Sequence, residues 1–247
     1  MFNFGSGPVQ RVGRRGFQVA ARLGGVVDHR LGLSRRANAA AERHAAPIYE
    51  ITSSRHVHLT FDDGPSPGFT DAICDLLEAG GHQATFFFTG CNVERHPDLV
   101  RRVSAGGHGV GSHSFGHLPQ WERSGPRILL DYARGHRAVQ QSLGSKPTLF
   151  RPPYGHHDWR SALFTKGLRL RQFGWTNEAE DWKPGVTTAS IVADLEDAIQ
   201  PGAVVLLHDA IVDNPAAYDR SATVAAVGEL VKVLNQRNLV SRPLAGR

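Results

Sequence analysis

The chain has 247 residues, of which 40% are hydrophobic and 21% charged, and its formal net charge is +5. Such a chain can bury one substantial core, and no uncharged apolar stretch approaches the roughly 20 residues that a transmembrane helix needs. The basic excess lies in residues 1–47, which hold eight arginines against Asp28 and Glu42; this +6 leaves about −1 for the other 200 residues. Because the charge is confined to a segment without a recognisable nucleic-acid motif, we expect no nucleic-acid partner.

Residues 1–50 are predicted to form a basic arm ahead of one globular domain, residues 51–247. The arm's apolar side chains suit a helix that docks on the domain or lies in solvent, and the alternative is an amphipathic contact with anionic lipid. These side chains are Phe17, Leu23, Val26, Val27 and Leu31. The N-terminus lacks the charge and apolar order of a signal peptide, and two cysteines require no disulfide. We therefore expect a cytoplasmic protein, with peripheral membrane contact through the arm as the alternative.

From residue 57 onwards, strand-like runs alternate with helix-like stretches. Strands are predicted at 57–61, 84–88, 108–112, 148–151, 168–175, 203–207 and 238–241. Helices are predicted at 69–79, 97–105, 125–143, 158–166, 187–199 and 221–236. This alternation is typical of a parallel α/β fold, and about seven units in roughly 200 residues favour a distorted (β/α) barrel with about seven parallel strands.

The first strand ends in two adjacent carboxylates, Asp62 and Asp63, followed by the turn Gly64-Pro65. Neighbouring carboxylates repel each other unless a metal ion or a guanidinium compensates their charge. An ordinary solvated turn would have the same composition, so the pair alone does not decide between the two interpretations.

Two histidines, His113 and His117, follow the third predicted strand at a spacing of four residues. This spacing lets both imidazoles reach one metal ion, with Asp63 as a third ligand and a position left for water. The chain has 13 histidines, so such a pair also arises by chance, and a surface pair is the alternative.

Three further polar residues, Arg151, Asp181 and His208, fall at or just beyond predicted strand ends. In parallel barrels the chemistry collects at the C-terminal ends of the strands. A purely structural role does not predict that so many reactive side chains share this position.

Five ordered segments together resemble the motifs of the polysaccharide deacetylase family, carbohydrate esterase family 4, with its NodB homology domain. They are Thr60-Phe61-Asp62-Asp63-Gly64-Pro65, His113-Ser114-Phe115-Gly116-His117, Arg151-Pro152-Pro153-Tyr154-Gly155, Asp181-Trp182 and Leu206-Leu207-His208. The resemblance spans about residues 55–242. Any one motif would be a weak match, whereas five in order are specific.

The resemblance implies a metal-dependent hydrolase that removes N-acetyl groups from N-acetylglucosamine-type sugars in an oligosaccharide, polysaccharide or glycan precursor. Its metal ligands would be Asp63, His113 and His117, a set suited to Zn²⁺ and tolerated by Co²⁺ or other divalent ions. Asp62 would be the general base, oriented by Arg151, and His208 the general acid, held protonated by Asp181. Tyr154 would offer its backbone N–H to the oxyanion, and Trp182, Leu206 and Tyr154 would contact the substrate.

The same residues leave other activities open. An O-acetyl sugar esterase or a lipid-linked sugar deformylase would use the same catalytic set. A non-catalytic carbohydrate-binding protein is the alternative outside enzymes, although such a protein needs neither the base Asp62 nor the acid His208.

Overall fold

The computed structural model describes residues 47–49, 51–52, 55–212 and 219–245. Apart from residues 47–49, the predicted basic arm lies outside the described residues, as do its apolar side chains. The division into an arm and a domain therefore stays a prediction.

The described part of the chain alternates short strands with helices. The strands are β1 His56–Asp62, β2 Thr85–Phe88, β3 Gly109–Ser112, β4 Leu149–Phe150, β5 Arg171–Gln172, β6 Asn177–Glu178, β7 Val204–His208 and β8 Val240–Ser241. The α-helices are α1 Phe69–Ala79, α2 Gly90–Arg95, α3 Pro97–Ala105, α4 Gly125–Leu143, α5 Trp159–Leu168, α6 Thr188–Glu196 and α7 Ser221–Gln236. Two 3-10 turns, Gln120–Glu122 and Pro153–Gly155, lie in the loops.

The strands form a parallel sheet in the order β5-β4-β3-β2-β1-β7-β6, and β8 pairs with the beginning of β1. The sheet curls into a distorted barrel, which confirms the predicted fold class. Its two end strands, β5 and β6, are separated by residues 173–176 alone. Phe173 donates its N–H to β4 (Phe150 O, 3.0 Å) and Thr176 donates to β7 (Val204 O, 2.8 Å). This stretch therefore brings the two ends of the sheet together.

Side-chain alternation along β1 separates two cores. Val57, Leu59 and Phe61 pack with the surrounding helices in the largest hydrophobic cluster. Successive strand residues point to opposite faces, so Thr60 and Asp62 face the barrel interior. A smaller cluster that includes Phe87, Leu149, Phe173, Val204 and Leu244 fills that interior. Asp62 is thus the last inward-facing residue of β1, and it lies next to the apolar cluster that fills the barrel interior.

The structure differs from the predicted elements mainly in three places. Strand β6, Asn177–Glu178, lies outside every predicted strand and helix. Helix α2 is absent from the prediction because its six residues, GCNVER, are too few to show a helical period. The predicted strand over 168–175 is wrong for most of its length. Helix α5 continues to Leu168, Arg169 ends it in the left-handed conformation (φ 56°), and β5 covers Arg171–Gln172 alone. Phe173 and Gly174 then direct their carbonyls to the Arg151 side chain.

Among the residues that the structure describes, no helix combines the length and the apolar character that crossing a bilayer requires.

Candidate active site

The adjacent residues Asp62 and Asp63 have different surroundings. Asp62 is the last residue of β1, whereas Asp63 leaves the strand in the left-handed region with φ 78°. Thr89 Oγ1 and Asn92 Nδ2 each donate to the Asp63 carbonyl at 2.9 Å. Backbone conformations of this kind are held only where the surroundings fix them. The turn therefore sends two neighbouring carboxylates in two directions.

Asp62 forms a buried ion pair with Arg151. Arg151 Nη1 donates to Asp62 Oδ1 at 2.8 Å and to Thr60 Oγ1 at 2.9 Å. Its other nitrogens donate to the carbonyls of Gly174 (2.8 Å) and Phe173 (3.3 Å), and its side chain is fully buried. Burial raises the pKa of the Asp62 carboxyl, and the Arg151 guanidinium opposes that rise. Arg151 thus fixes the orientation of a carboxylate that burial makes more basic.

Asp63, His113 and His117, which we call the ligand cluster, converge on one point, as the sequence predicts. Each offers a ligand atom, these atoms lie within 4.8 Å of one another, and all three residues are buried. Asp63 Oδ1 lies 3.6 Å from His113 Nε2 and 3.4 Å from His117 Nε2. One carboxylate and two imidazoles form a donor set that Zn²⁺ and similar divalent ions accept.

The protonation of the cluster fits a cation. His113 Nδ1 donates to the Arg151 carbonyl at 2.8 Å, which leaves the lone pair on Nε2, the atom that faces Asp63. Burial, with the nearby His117, lowers the pKa of His113 to about 3, so its imidazole is neutral. Among the described residues no hydrogen-bond donor reaches the buried Asp63 Oδ1. A divalent cation would satisfy that oxygen and both imidazoles.

The histidine loop is fixed by close packing against α4. Asp131 accepts from the N–H of Phe115 (3.3 Å) and of Gly116 (3.0 Å). A Cβ at Gly135 would lie 2.0 Å from the Ser114 carbonyl oxygen, so only glycine permits this approach. Ser114 Oγ also accepts the His117 N–H at 3.0 Å. The helix thereby sets the position of both histidines.

His208 stands beside Asp62 at the end of β7, since the two residues are register partners in the sheet. Asp181 accepts from His208 Nδ1 at 2.7 Å and from the His208 N–H at 2.9 Å. Thr223 Oγ1 donates to Asp181 Oδ2 (3.0 Å) and Arg220 donates to the Asp181 carbonyl (2.7 Å). Burial lowers the pKa of His208, but Asp181, with Asp63 and Asp62, outweighs it and raises the pKa to about 9.

The three predicted substrate-contact residues differ in exposure. Tyr154 and Trp182 expose 40% and 42% of their surface. Leu206 is buried, two residues before His208 on β7, and thus shares its strand face. Tyr154 has a left-handed backbone (φ 58°), and its ring centre lies 4.5 Å from that of His117. Tyr154 therefore borders the ligand cluster.

Asp209 is a supporting residue that the sequence reasoning missed. Its carboxylate accepts the Gly64 N–H at 3.1 Å and the Thr70 hydroxyl at 2.6 Å. A Cβ at Gly64 would lie 2.1 Å from Asp209 Oδ2, so the turn after Asp63 rests directly on this carboxylate. Asp209 directly follows His208 in the sequence, and this adjacency is the one feature that could have indicated a role for Asp209 in the site.

Comparison with known proteins identifies the family of the chain. A polysaccharide deacetylase family model matches residues 50–173. The chitooligosaccharide deacetylase of Azorhizobium caulinodans is 30% identical over 206 residues, covering 81% of this chain and 97% of that protein. The peptidoglycan-N-acetylglucosamine deacetylase of Bacillus cereus is 34% identical over 186 residues, covering 73% of this chain and 82% of that protein.

A solved structure shows the same fold. The family 4 carbohydrate esterase from Streptomyces lividans, determined in complex with acetate, is 29% identical with a TM-score of 0.67, and the match covers 79% of this chain and all of that one. The distorted barrel is thus the fold of the family 4 carbohydrate esterases. The chain belongs to the polysaccharide deacetylase family.

Proposed function

We propose that this protein is a metal-dependent hydrolase that removes acetyl groups from N-acetylglucosamine-type units of an oligosaccharide, polysaccharide or glycan precursor. The observation that carries the proposal is the divided role of two adjacent carboxylates. Asp63 faces two imidazoles, while Asp62 is bonded to Arg151 and lies 3.7 Å from His113 Nε2. A site for binding alone has no need of the second carboxylate.

Asp63, His113 and His117 would hold the divalent cation, with Zn²⁺ as the first candidate. When bound, such an ion polarises an acyl oxygen and makes water more acidic. The His113 Nδ1 bond to the Arg151 carbonyl keeps the ligand nitrogen unprotonated for this purpose. The same Arg151 thus supports both the ligand His113 and the carboxylate Asp62.

Asp62 accepts the proton of the attacking water. Its Oδ1 is taken by Arg151, and its Oδ2 lies near His113 Nε2, on the side of the ligand cluster. Burial raises the pKa of this carboxyl, which makes it a stronger base than an exposed aspartate. In the proposed mechanism the Tyr154 backbone N–H donates to the oxygen that becomes negative as water attacks.

His208 donates a proton to the departing sugar nitrogen. Asp181 keeps the imidazole protonated, because its charge and its bond to Nδ1 raise the pKa. Trp182 and Leu206 form apolar surfaces for the acetyl methyl and the sugar. Base and acid then act from neighbouring strand ends, β1 and β7, as the transfer of two protons at one amide requires.

The proposal is tested with zinc-loaded protein and a panel of N-acetylglucosamine oligomers, peptidoglycan fragments, O-acetylated sugars and lipid-linked sugars. Released acetate or formate and the mass of the sugar product are measured, with Asp62→Asn as the matched control. We expect acetate and a free amine from N-acetyl substrates and almost none from the variant. Release from O-acetyl or formyl substrates alone would replace this activity by the corresponding esterase or deformylase.

A further inference from the structure

A row of three aromatic rings leads from the ligand cluster to the surface. The ring centre of Tyr154 lies 4.5 Å from that of His117, and the ring centre of Trp121 lies 4.9 Å from that of Tyr154. Trp121 exposes 37% of its surface and Tyr154 exposes 40%. Two large, neighbouring aromatic side chains therefore remain open to solvent next to the site, where a buried position would stabilise the fold more.

The loop that carries Trp121 is fixed rather than simply exposed. The preceding residue, Gln120, is 1% exposed, and its Nε2 donates to the His156 carbonyl at 2.8 Å. Arg160, paired with Asp158, donates to the Gln120 carbonyl at 2.9 Å. The Trp121 loop is thus bonded to the loop that carries Tyr154, and both rings keep their relative position.

Tyr154 is held in place from its own side. It has φ 58°, and the next residue, Gly155, has φ 62°. A Cβ at Gly155 would lie 2.4 Å from the Trp175 ring, so the turn is pressed against a side chain of the interior cluster. A non-glycine residue with positive φ is retained where the surroundings demand it. The turn presents the Tyr154 ring to solvent beside Trp121.

We propose that Trp121 and Tyr154 form a stacking subsite for the sugar unit next to the one that is deacetylated. Pyranose rings present flat faces of C–H groups, which pack well against rigid aromatic rings that lose little conformational entropy on binding. The inference rests on the proposed function and deepens it: Trp121 makes the protein prefer an oligosaccharide to the monosaccharide.

Kinetics with substrates of increasing length test this subsite. Acetate release is measured for N-acetylglucosamine and its tetramer with wild-type protein, Trp121→Ala, Trp121→Phe and the control Leu130→Ala, which removes a 61% exposed side chain from α4. We expect Trp121→Ala to raise KM for the tetramer by about tenfold with kcat little changed, and to leave the monomer unaffected. Trp121→Phe should restore most of the loss, and Leu130→Ala should match wild type.

Equal losses for monomer and tetramer in Trp121→Ala would overturn the subsite, because a merely structural role weakens both. A tetramer KM unchanged in Trp121→Ala would overturn it as well.

Titration calorimetry separates the subsite from the reaction. The tetramer and the monomer are titrated into zinc-loaded Asp62→Asn protein with and without Trp121→Ala, so that binding is measured without turnover. Tighter binding of the tetramer that depends on Trp121 supports the subsite even if the wild-type protein releases no acetate, in which case the proposed function fails and the subsite stands. Tetramer affinity equal to that of the monomer, or indifferent to Trp121, contradicts the subsite whatever the activity.

Discussion

Each of the two buried ion pairs of the site joins a carboxylate to a cationic side chain, but the two pairs serve opposite purposes. In Arg151–Asp62 the cation is permanent and completely buried, and burial still raises the pKa of the carboxyl. In Asp181–His208 the histidine side chain is 13% exposed and its pKa is raised to about 9. In the proposed mechanism the first pair keeps a carboxylate available as a base, and the second keeps an imidazole charged as an acid. The contribution of each pair therefore depends on which of its groups changes protonation, the carboxyl of Asp62 in the first pair and the imidazole of His208 in the second.

Removal of the proposed base, Asp62, should have the largest effect on activity. Asp62→Asn keeps the shape of the side chain but cannot accept the proton, so we expect kcat to fall roughly a thousandfold. Metal content, measured by elemental analysis, should stay at the wild-type level because Asp62 is not among the proposed ligands. His113→Ala is the complement and should lose the metal while Asp62 remains. Wild-type turnover in Asp62→Asn would remove Asp62 from the mechanism.

Replacement of Arg151, the permanently charged partner of Asp62, should mainly lower the free energy of unfolding. Arg151→Met leaves Asp62 buried without its partner, and breaking a buried pair in this way costs about 3–5 kcal/mol of unfolding free energy. The matched control is Arg102→Met, which breaks exposed pairs with Glu78 (2.6 Å) and Asp75 (2.7 Å) and should cost less than about 1 kcal/mol. Urea denaturation measures both. Equal losses in the two variants would show that Arg151 has no special structural role.

Weakening the second pair should change the pH dependence. In the proposed mechanism Asp62 must be ionised and His208 protonated, so kcat/KM should follow a bell whose basic limb reflects the raised pKa of His208. Asp181→Asn removes the charge that favours the imidazolium and should move that limb to lower pH, with the acidic limb little changed. With chemistry shown to be rate-limiting, a basic limb that stays in place would reject the pairing.

The same pair links stability to pH. The pKa of His208 rises from its ordinary value of 6.5 to about 9 on folding. The stabilisation is complete below about 6.5 and is lost as pH rises toward about 9. In Asp181→Asn the free energy of unfolding should therefore decrease less between pH 6.5 and about pH 9.

The smallest effect is expected from the basic arm, which contains no residue of either pair. Deletion of residues 1–45 should leave kcat/KM of the remaining domain at the full-length value. Sedimentation with vesicles that contain anionic lipid tests the arm's alternative role. Vesicle binding that survives the deletion would exclude the arm as the lipid contact, and loss of folding would make the arm part of the core.

Local patterns predicted the parts of the site that lie in sequence motifs. Asp62, His113 and His208 follow strand-like runs, and in a parallel barrel all such ends meet at one edge. Contacts between distant segments were not predictable. Asp209 supports Gly64 across 145 residues, and a helix period does not show that Gly135 touches Ser114. Trp121 lies in a 3-10 turn of three residues, which has no periodic pattern.

The stretch between β5 and β6 shows a second reason for error. Its residues suggested an ordinary strand, but Phe173 and Gly174 use their carbonyls to bind the Arg151 guanidinium. A buried cation thus competes with the sheet for backbone acceptors, and the strand is interrupted. Propensity cannot register this competition, since the competing donor lies more than 20 residues earlier in the chain.

Removal and restoration of the metal tests the central claim most directly. The protein is dialysed against a chelator, its metal content is measured, and acetate release from an N-acetylglucosamine oligomer is followed before and after addition of Zn²⁺. We predict that release disappears with the metal and returns when one equivalent binds, and that His117→Ala fails to recover at that concentration. Undiminished release of acetate by metal-free protein would contradict the account.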